Sequence, residues 1–114
     1  MVLVIGGAGS GKLDYVKSLG YSQEEIADGL IDGRSVVYHL QNIVFDDPDR
    51  APELLDALLA KEVVVCDEVG SGIIPPSARE RQAREATGRL CIQLAKHASR
   101  VVRLVCGIPT VIKE

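Results

Sequence analysis

The first twelve residues, Met1-Val-Leu-Val-Ile-Gly-Gly-Ala-Gly-Ser-Gly-Lys12, constrain this chain more than any other stretch. An apolar run that empties into a glycine-rich loop and then a lysine has the makings of a phosphate cradle. Gly6, Gly11 and Lys12 fit the spacing G-x-x-x-x-G-K, in which glycines free the backbone to curl its N–H groups around phosphate oxygens and the lysine reaches the β and γ phosphates. The predicted cradle is Gly6, Gly7, Ala8, Gly9, Ser10, Gly11, Lys12 and Leu13. At Leu13 a serine or threonine normally offers its hydroxyl to Mg²⁺, and leucine has no oxygen to offer. The plain alternative is an ordinary strand-to-helix turn. A strand pattern before the loop and a helix pattern after it favour the cradle.

With 114 residues, 46% of them hydrophobic, the chain reads as one domain spanning 1–114 that buries a real core, alone or as the protomer of a homo-oligomer. No apolar stretch approaches the roughly 18 residues needed to cross a bilayer. The opening apolar run is too short for a signal peptide and has no basic residues before it, so a cytoplasmic protein without membrane contact is expected. Cys66, Cys91 and Cys106 are widely spaced and odd in number, which argues against a disulfide framework or a zinc knuckle and for buried reduced thiols. Eight of the 13 basic residues lie after Ser77, against three of the 16 acids. That basic third reads as a solvated helix face. With one Phe, three Tyr and no Trp to stack on bases, nucleic acid is not an expected partner.

Val2 to Ile5 predicts a strand buried on both faces, since its apolar run does not alternate. A short helix from Gly11 or Lys12 should turn Leu13 and Val16 inward and stop near Gly20. Ser22 with Glu25 three residues on predicts a second helix, with Ile26 and Leu30 inward and Gly33 at its end. Ser35 to Leu40 is β-prone, and Asn42 to Phe45 extends that strand or forms a separate piece. Asp46-Asp47-Pro48-Asp49 is a turn cluster, and a helix from about Pro52 groups Leu54, Leu55, Leu58 and Leu59 on one face. Val63 to Cys66 is a clear strand, Gly70 to Pro76 a structured loop, and Ser77 to about Ala98 a long amphipathic helix with Ala83, Ala86, Leu90 and Leu94 inward. Gly88 inside that helix predicts a close packing contact. Val101 to Val105 is a strand, Gly107-Ile108-Pro109 a turn, and Thr110 to Lys113 a short returning strand. Alternating strands and helices imply an α/β fold, a P-loop NTPase-like three-layer sandwich with a mostly parallel sheet whose ligands sit at the carboxyl ends of the strands.

In that architecture Asp67 and Glu68 leave a buried strand on the same rim as the loop, where an acid holds Mg²⁺ or a metal-bound water, or orients an attacking hydroxyl. Asp67 is the candidate metal ligand, and Lys12 and Glu68 are the candidate catalytic pair. The plain alternative is an acid that caps a turn. Asp46 and Asp47 are better read as turn residues beside Pro48. His39, within Val-Val-Tyr-His-Leu, is read as a structural residue before a nucleophile or base, and His97 as a complement to a helix carboxyl end.

Three blocks together resemble the adenosylcobinamide kinase/adenosylcobinamide-phosphate guanylyltransferase family of cobalamin biosynthesis. They are the opening twelve residues, Glu68-Val69-Gly70-Ser71-Gly72-Ile73-Ile74-Pro75, and Leu104-Val105-Cys106-Gly107-Ile108-Pro109 with the Lys113 ending. The middle block is the most specific, because the helix after it supplies Arg81, Arg84, Gly88 and Arg89. The resemblance implies GTP or ATP as the nucleotide with Mg²⁺, and a cobinamide hydroxyl as the acceptor. In the family, GMP then passes through a guanylylated histidine to the new phosphate.

The departures are as specific as the match. This chain is shorter than the family, and the loss falls between the first helix and Glu68-Val69-Gly70. The family's guanylylated histidine precedes an Asp-Gly-Arg segment, but Asp32-Gly33-Arg34 follows Gly29-Leu30-Ile31, and His39 comes after it. Asp67 stands where the family has Asn, Cys91-Ile92 where it has Asn-Gln, and Leu13 weakens the expected metal site. Two functions stay open. One is a kinase-like enzyme that has lost the guanylyltransferase half; the other is a degenerate homologue that binds nucleotide or acts as a partner without catalysis.

Overall fold

The computed structural model describes residues 1–68 and 77–114. Among them one sheet is built from β1 (Val2–Gly6), β2 (Ile26–Asp28), β3 (Val36–Tyr38), β4 (Val63–Asp67), β5 (Arg100–Val105) and β6 (Ile108–Lys113). The spatial order is β2-β3-β4-β1-β5-β6. The first five strands run parallel, and β6 returns antiparallel to β5. The carboxyl ends of five strands therefore share one rim, and β1, which feeds the glycine loop, lies centrally between β4 and β5.

Helices cover both faces because the strands are apolar on both. Val4, Val36, Val63, Val65, Val102 and Leu104 pack with Val16 of α1 (Lys12–Ser18) on one face. Leu3, Val37, Val64, Cys66 and Val101 face the other way. They meet Leu40 and Val44 of α2 (Leu40–Asp46), Leu58 of α3 (Leu55–Leu59), and Ala86, Leu90 and Leu94 of α4 (Ala78–His97). The period-two alternation along each strand thus assigns consecutive residues to two cores, and each fully buried valine or leucine contributes roughly 1.5–3 kcal/mol. The result is a P-loop NTPase-like three-layer α/β sandwich with a mostly parallel sheet.

The α4 helix begins where Ser77 Oγ accepts the Glu80 amide at 3.2 Å, satisfying one of the open donors of its first turn. Its buried Thr87 hydroxyl donates to the Ala83 carbonyl at 2.8 Å. At the far end the Lys113 ammonium donates to the carbonyls of Ala95 and Lys96, both at 2.9 Å, and so closes the helix with a positive charge from β6.

Several expectations give way. Ser22 and Glu25 do form a reciprocal capping box, but it opens only a single 3₁₀ turn, Gln23–Glu25. The chain then enters β2, because Ile26 and Ala27 bury themselves in register with Val36 and Val37. Leu30, expected inside, is exposed. Asn42 to Phe45 is helical: His39 takes φ 58, ψ 49, turns the chain out of β3, and starts α2. The helix expected from Pro52 is preceded by a 3₁₀ stretch, Pro48–Leu54, and is α-helical only from Leu55. The turn after β5 falls at Cys106 and Gly107, both at positive φ, and β6 starts at Ile108, earlier than Thr110. Among the described residues Gly88 makes no close contact, since a Cβ there would have no neighbour within 4 Å. Of the three thiols only Cys66 is fully buried; Cys106 is exposed. The loop expected from Gly70 to Pro76 lies outside the described residues.

Candidate functional site

The carboxyl rim of β1 opens into the loop Gly7–Gly11, where Gly9 (φ 72) and Gly11 (φ 94) hold the left-handed conformation that the tight reversal demands. The reversal also needs room. A Cβ on Gly6 would come within 2.5 Å of Ser10 Oγ and 2.8 Å of the Leu104 carbonyl oxygen, and one on Gly11 within 3.2 Å of Gly107 Cα. The Gly107 amide donates to the Ser10 carbonyl at 2.8 Å, which ties the β5–β6 turn to the loop.

Lys12 opens α1 with its side chain folded back into the loop and only 3% exposed. Its ammonium donates to the Gly7 carbonyl at 2.6 Å and Ser10 Oγ at 3.4 Å, and lies 2.8 Å from Asp67 Oδ1. Asp67 reaches it because β4 pairs directly with β1, with Gly6 opposite Asp67 in register. The Gln41 side-chain oxygen accepts the Asp67 amide at 3.1 Å and steadies this strand end from α2. Gly9, Ser10, Gly11, Lys12, Leu13, Asp14 and Tyr38 line an open cleft of about 250 Å³ over the loop.

The two acids predicted together part company. Asp67 turns toward Lys12, whereas the Glu68 carboxylate takes a two-point contact from Arg103 Nε at 2.7 Å and Nη2 at 3.2 Å. Strand alternation sends consecutive side chains to opposite faces, and Arg103 of β5 shares the face of Glu68. That carboxylate raises the affinity of the Arg103 guanidinium for its proton.

His39 and Asp28, at the ends of β3 and β2, meet on the same rim, Nδ1 to Oδ1 at 2.6 Å. Tyr38 stands between this pair and the loop: its ring centroid is 3.9 Å from that of His39, and it lines the loop cleft. Burial, then the charges of Asp67, Asp28 and Asp14, push the Tyr38 phenol above its ordinary value. His39 is thus a helix-start residue paired with an acid, where the sequence reads as strand. Tyr38, Asp28 and Arg103 were missed in the sequence, although Asp28 and Tyr38 each end a short apolar run as Asp67 does.

Asp32-Gly33-Arg34 lies on the opposite, amino-terminal rim, just before β3. Arg34 grips the Asp32 carboxylate at 2.8 and 2.9 Å and donates to the Ile26 carbonyl at 3.1 Å, while the Lys61 ammonium donates to the carbonyls of Asp32 and Arg34. In this chain the segment is a brace between β2, β3 and the turn before β4.

A cation in the cleft would find the Asp14 carboxylate in its lining, Asp67 beyond it on Lys12, and no side-chain oxygen at Leu13. Among the described residues no three His, Cys, Asp or Glu side chains converge as a metal cluster. The fit is that of Mg²⁺ held mainly by phosphate oxygens and water, with one or two carboxylates.

The profile of the family described as "Cobinamide kinase / cobinamide phosphate guanyltransferase" matches residues 30–112, well over half of the sequence. The chain belongs to this family. Escherichia coli (strain K12) has a bifunctional adenosylcobalamin biosynthesis protein CobU that is 46% identical over 54 residues, 47% of this chain and 30% of that protein. The similarity thus covers under a third of the length of that family member. No helix among the described residues is long and apolar enough to cross a membrane.

Proposed function

We propose that this chain binds the triphosphate of GTP or ATP on the loop Gly7–Lys12 and passes the γ-phosphate to the hydroxyl of a cobinamide, as the kinase part of its family without the guanylyl transfer. The observation that carries this reading is Lys12: a buried ammonium at the centre of a glycine loop, compensated by Asp67 and the Gly7 carbonyl. A cation so placed is neutralised within the protein and exchanges those partners for the β and γ phosphates, where charge builds up as the phosphoryl group moves.

In the same reading, backbone amides of the loop hold the phosphates, and Asp67, released from Lys12, faces a phosphate-bound Mg²⁺ or one of its waters. When bound, that ion neutralises phosphate charge. Glu68 acts through Arg103, holding the β4 and β5 ends together beneath the loop. The guanylyl step is left out because Gly29-Leu30-Ile31 precedes Asp32, where the family carries its histidine, and because the Asp32 segment is engaged as a brace on the far rim.

A second reading, nucleotide binding without catalysis, draws support from Leu13, which lines the cleft without an oxygen. The two separate on one experiment: incubation of the purified chain with γ-labelled GTP or ATP, Mg²⁺ and adenosylcobinamide. Label in the corrinoid supports the kinase. Tight nucleotide binding with no transfer supports the second reading.

A further inference from the structure

We propose that His39, oriented by Asp28, is the base that takes the proton of the acceptor hydroxyl as that oxygen attacks the γ-phosphate. This rests on the reading of the chain as a kinase and supplies a group that reading lacks. Of the two acids predicted beside the loop, Asp67 serves Lys12 and the phosphate side of the cleft, and Glu68 is held by Arg103.

The place comes from the strand order. β4 and then β3 follow β1 on one side of the sheet, and the Lys12 ammonium is drawn that way, to Asp67 at the end of β4. A lysine in such a loop reaches the β and γ phosphates, so the terminal phosphate lies toward β4 and β3. Attack comes roughly in line with the leaving oxygen, from the side of the γ-phosphorus that faces away from the rest of the nucleotide. The acceptor therefore approaches over the end of β3, two strands and roughly 10 Å from β1. Tyr38 ends β3 and lines the loop cleft. His39 is the next residue, its ring centroid 3.9 Å from that of Tyr38.

The pair has the make-up of an oriented base. Asp28 stands opposite Tyr38 in the β2–β3 register, which brings its carboxylate beside the residue that follows, Oδ1 to His39 Nδ1 at 2.6 Å. An ionised carboxylate only accepts, so it selects the tautomer with hydrogen on Nδ1 and leaves the lone pair of the neutral ring on Nε2. With its side chain 30% exposed, the imidazole is within reach of a substrate. Its backbone, at φ 58, ψ 49, occupies a sparsely populated region for a residue with a side chain, the kind of outlier that concentrates at functional sites. In the step, the hydroxyl proton passes to Nε2 and the hydroxyl oxygen forms its bond to the γ-phosphorus. The bond from that phosphorus to the bridging oxygen breaks, its electron pair leaving with the nucleoside diphosphate. The imidazolium, held by Asp28, then returns its proton to water.

The test uses the full chain with γ-labelled GTP or ATP, Mg²⁺ and adenosylcobinamide, with turnover measured at saturating nucleotide and nucleotide affinity by calorimetry. His39→Gly suits the left-handed backbone and removes the ring. Asp28→Asn keeps the shape but favours the wrong tautomer. Thermal melting checks that both variants fold. The expected result for His39→Gly is a turnover lower by about 10²–10⁴-fold, the usual share of a positioned base, with nucleotide affinity unchanged. Added imidazole should restore part of that turnover in His39→Gly and leave the wild type unaffected. Asp28→Asn should also turn over more slowly, and wild-type turnover there overturns the orienting role of Asp28. A folded His39→Gly protein that transfers label at the wild-type rate, or whose loss imidazole leaves untouched, overturns the base while the kinase reading stands. If the wild type binds nucleotide and transfers no label, the kinase reading fails and the base with it.

Discussion

Lys12 Nζ and Asp67 Oδ1 lie 2.8 Å apart, with the lysine side chain 3% exposed and the aspartate 21%. A buried pair of this kind is costly to break from one side, because the remaining charge has lost its partner. Asp67→Ala should cost roughly 2–4 kcal/mol, less than for a fully enclosed pair because Asp67 is partly open to water. Urea unfolding of Asp67→Ala, Lys12→Met and the double variant gives the coupling. Single effects that simply add would show that the pair does not hold the loop.

Leu13 bears on the metal. It is half-buried, packs against the α1-side core, and also lines the loop cleft. With no hydroxyl there, nucleotide affinity in the wild type should depend little on Mg²⁺. Leu13→Ser should increase that dependence at a stability cost of roughly 1–2 kcal/mol, below that of a fully enclosed leucine. Titrations with Mg²⁺ and with a chelator, run beside unfolding curves, measure both effects. Strong Mg²⁺ dependence in the wild type, or none gained in a stable Leu13→Ser protein, would contradict the assignment.

Tyr38 links the loop to pH. Its phenol is raised from 10.0 by burial and then by Asp67, Asp28 and Asp14, so the folded state favours the neutral form. The stabilisation is therefore complete below the unfolded value near 10.0 and is lost as pH climbs through the folded one. Phenolate absorbance should show a late-titrating tyrosine that disappears in Tyr38→Phe, and the variant should lose less stability than wild type through that alkaline window. A Tyr38→Phe protein with the same late titration and the same alkaline loss would place the effect elsewhere, with Tyr21 the next candidate.

The sequence exposed those elements whose burial is continuous. Val2–Gly6 and Val63–Asp67 are apolar on both faces, Arg100–Val105 carries the apolar run Val101-Val102 and Leu104, and all three sit centrally in the sheet, so they read as strands without knowledge of neighbours. Ile26–Asp28 and Val36–Tyr38 are three-residue strands, the first paired with the second and the second also with β4. A local capping signal at Ser22 therefore outweighed Ile26–Asp28 in the sequence, whereas Val36–Tyr38 was legible within the β-prone run Ser35 to Leu40. His39 escaped for a related reason: its left-handed backbone, which starts α2, is set by packing of Leu40 and Val44 beneath the sheet and leaves no mark in composition. In the site, the loop and the nearby acids were visible as a motif. The separation of Asp67 from Glu68 follows from strand alternation once the direction of β4 is known, but the Arg103 partner on β5 required the strand order.

The missing histidine before Asp32 predicts that the chain does not become guanylylated. Incubation with α-labelled GTP should leave no acid-labile label on the protein. Label that disappears in His39→Ala would mean that the His39–Asp28 pair, on the loop's own rim, has taken over the role.

The central claim is that Lys12 serves a bound triphosphate. Its most direct test is the affinity of GTP and ATP for wild type and Lys12→Ala, measured by calorimetry on proteins shown by melting to be folded. Loss of a charge-assisted contact of roughly 1.5–3 kcal/mol predicts a fall of about one to two orders of magnitude. Equal affinity in the two proteins would contradict the account.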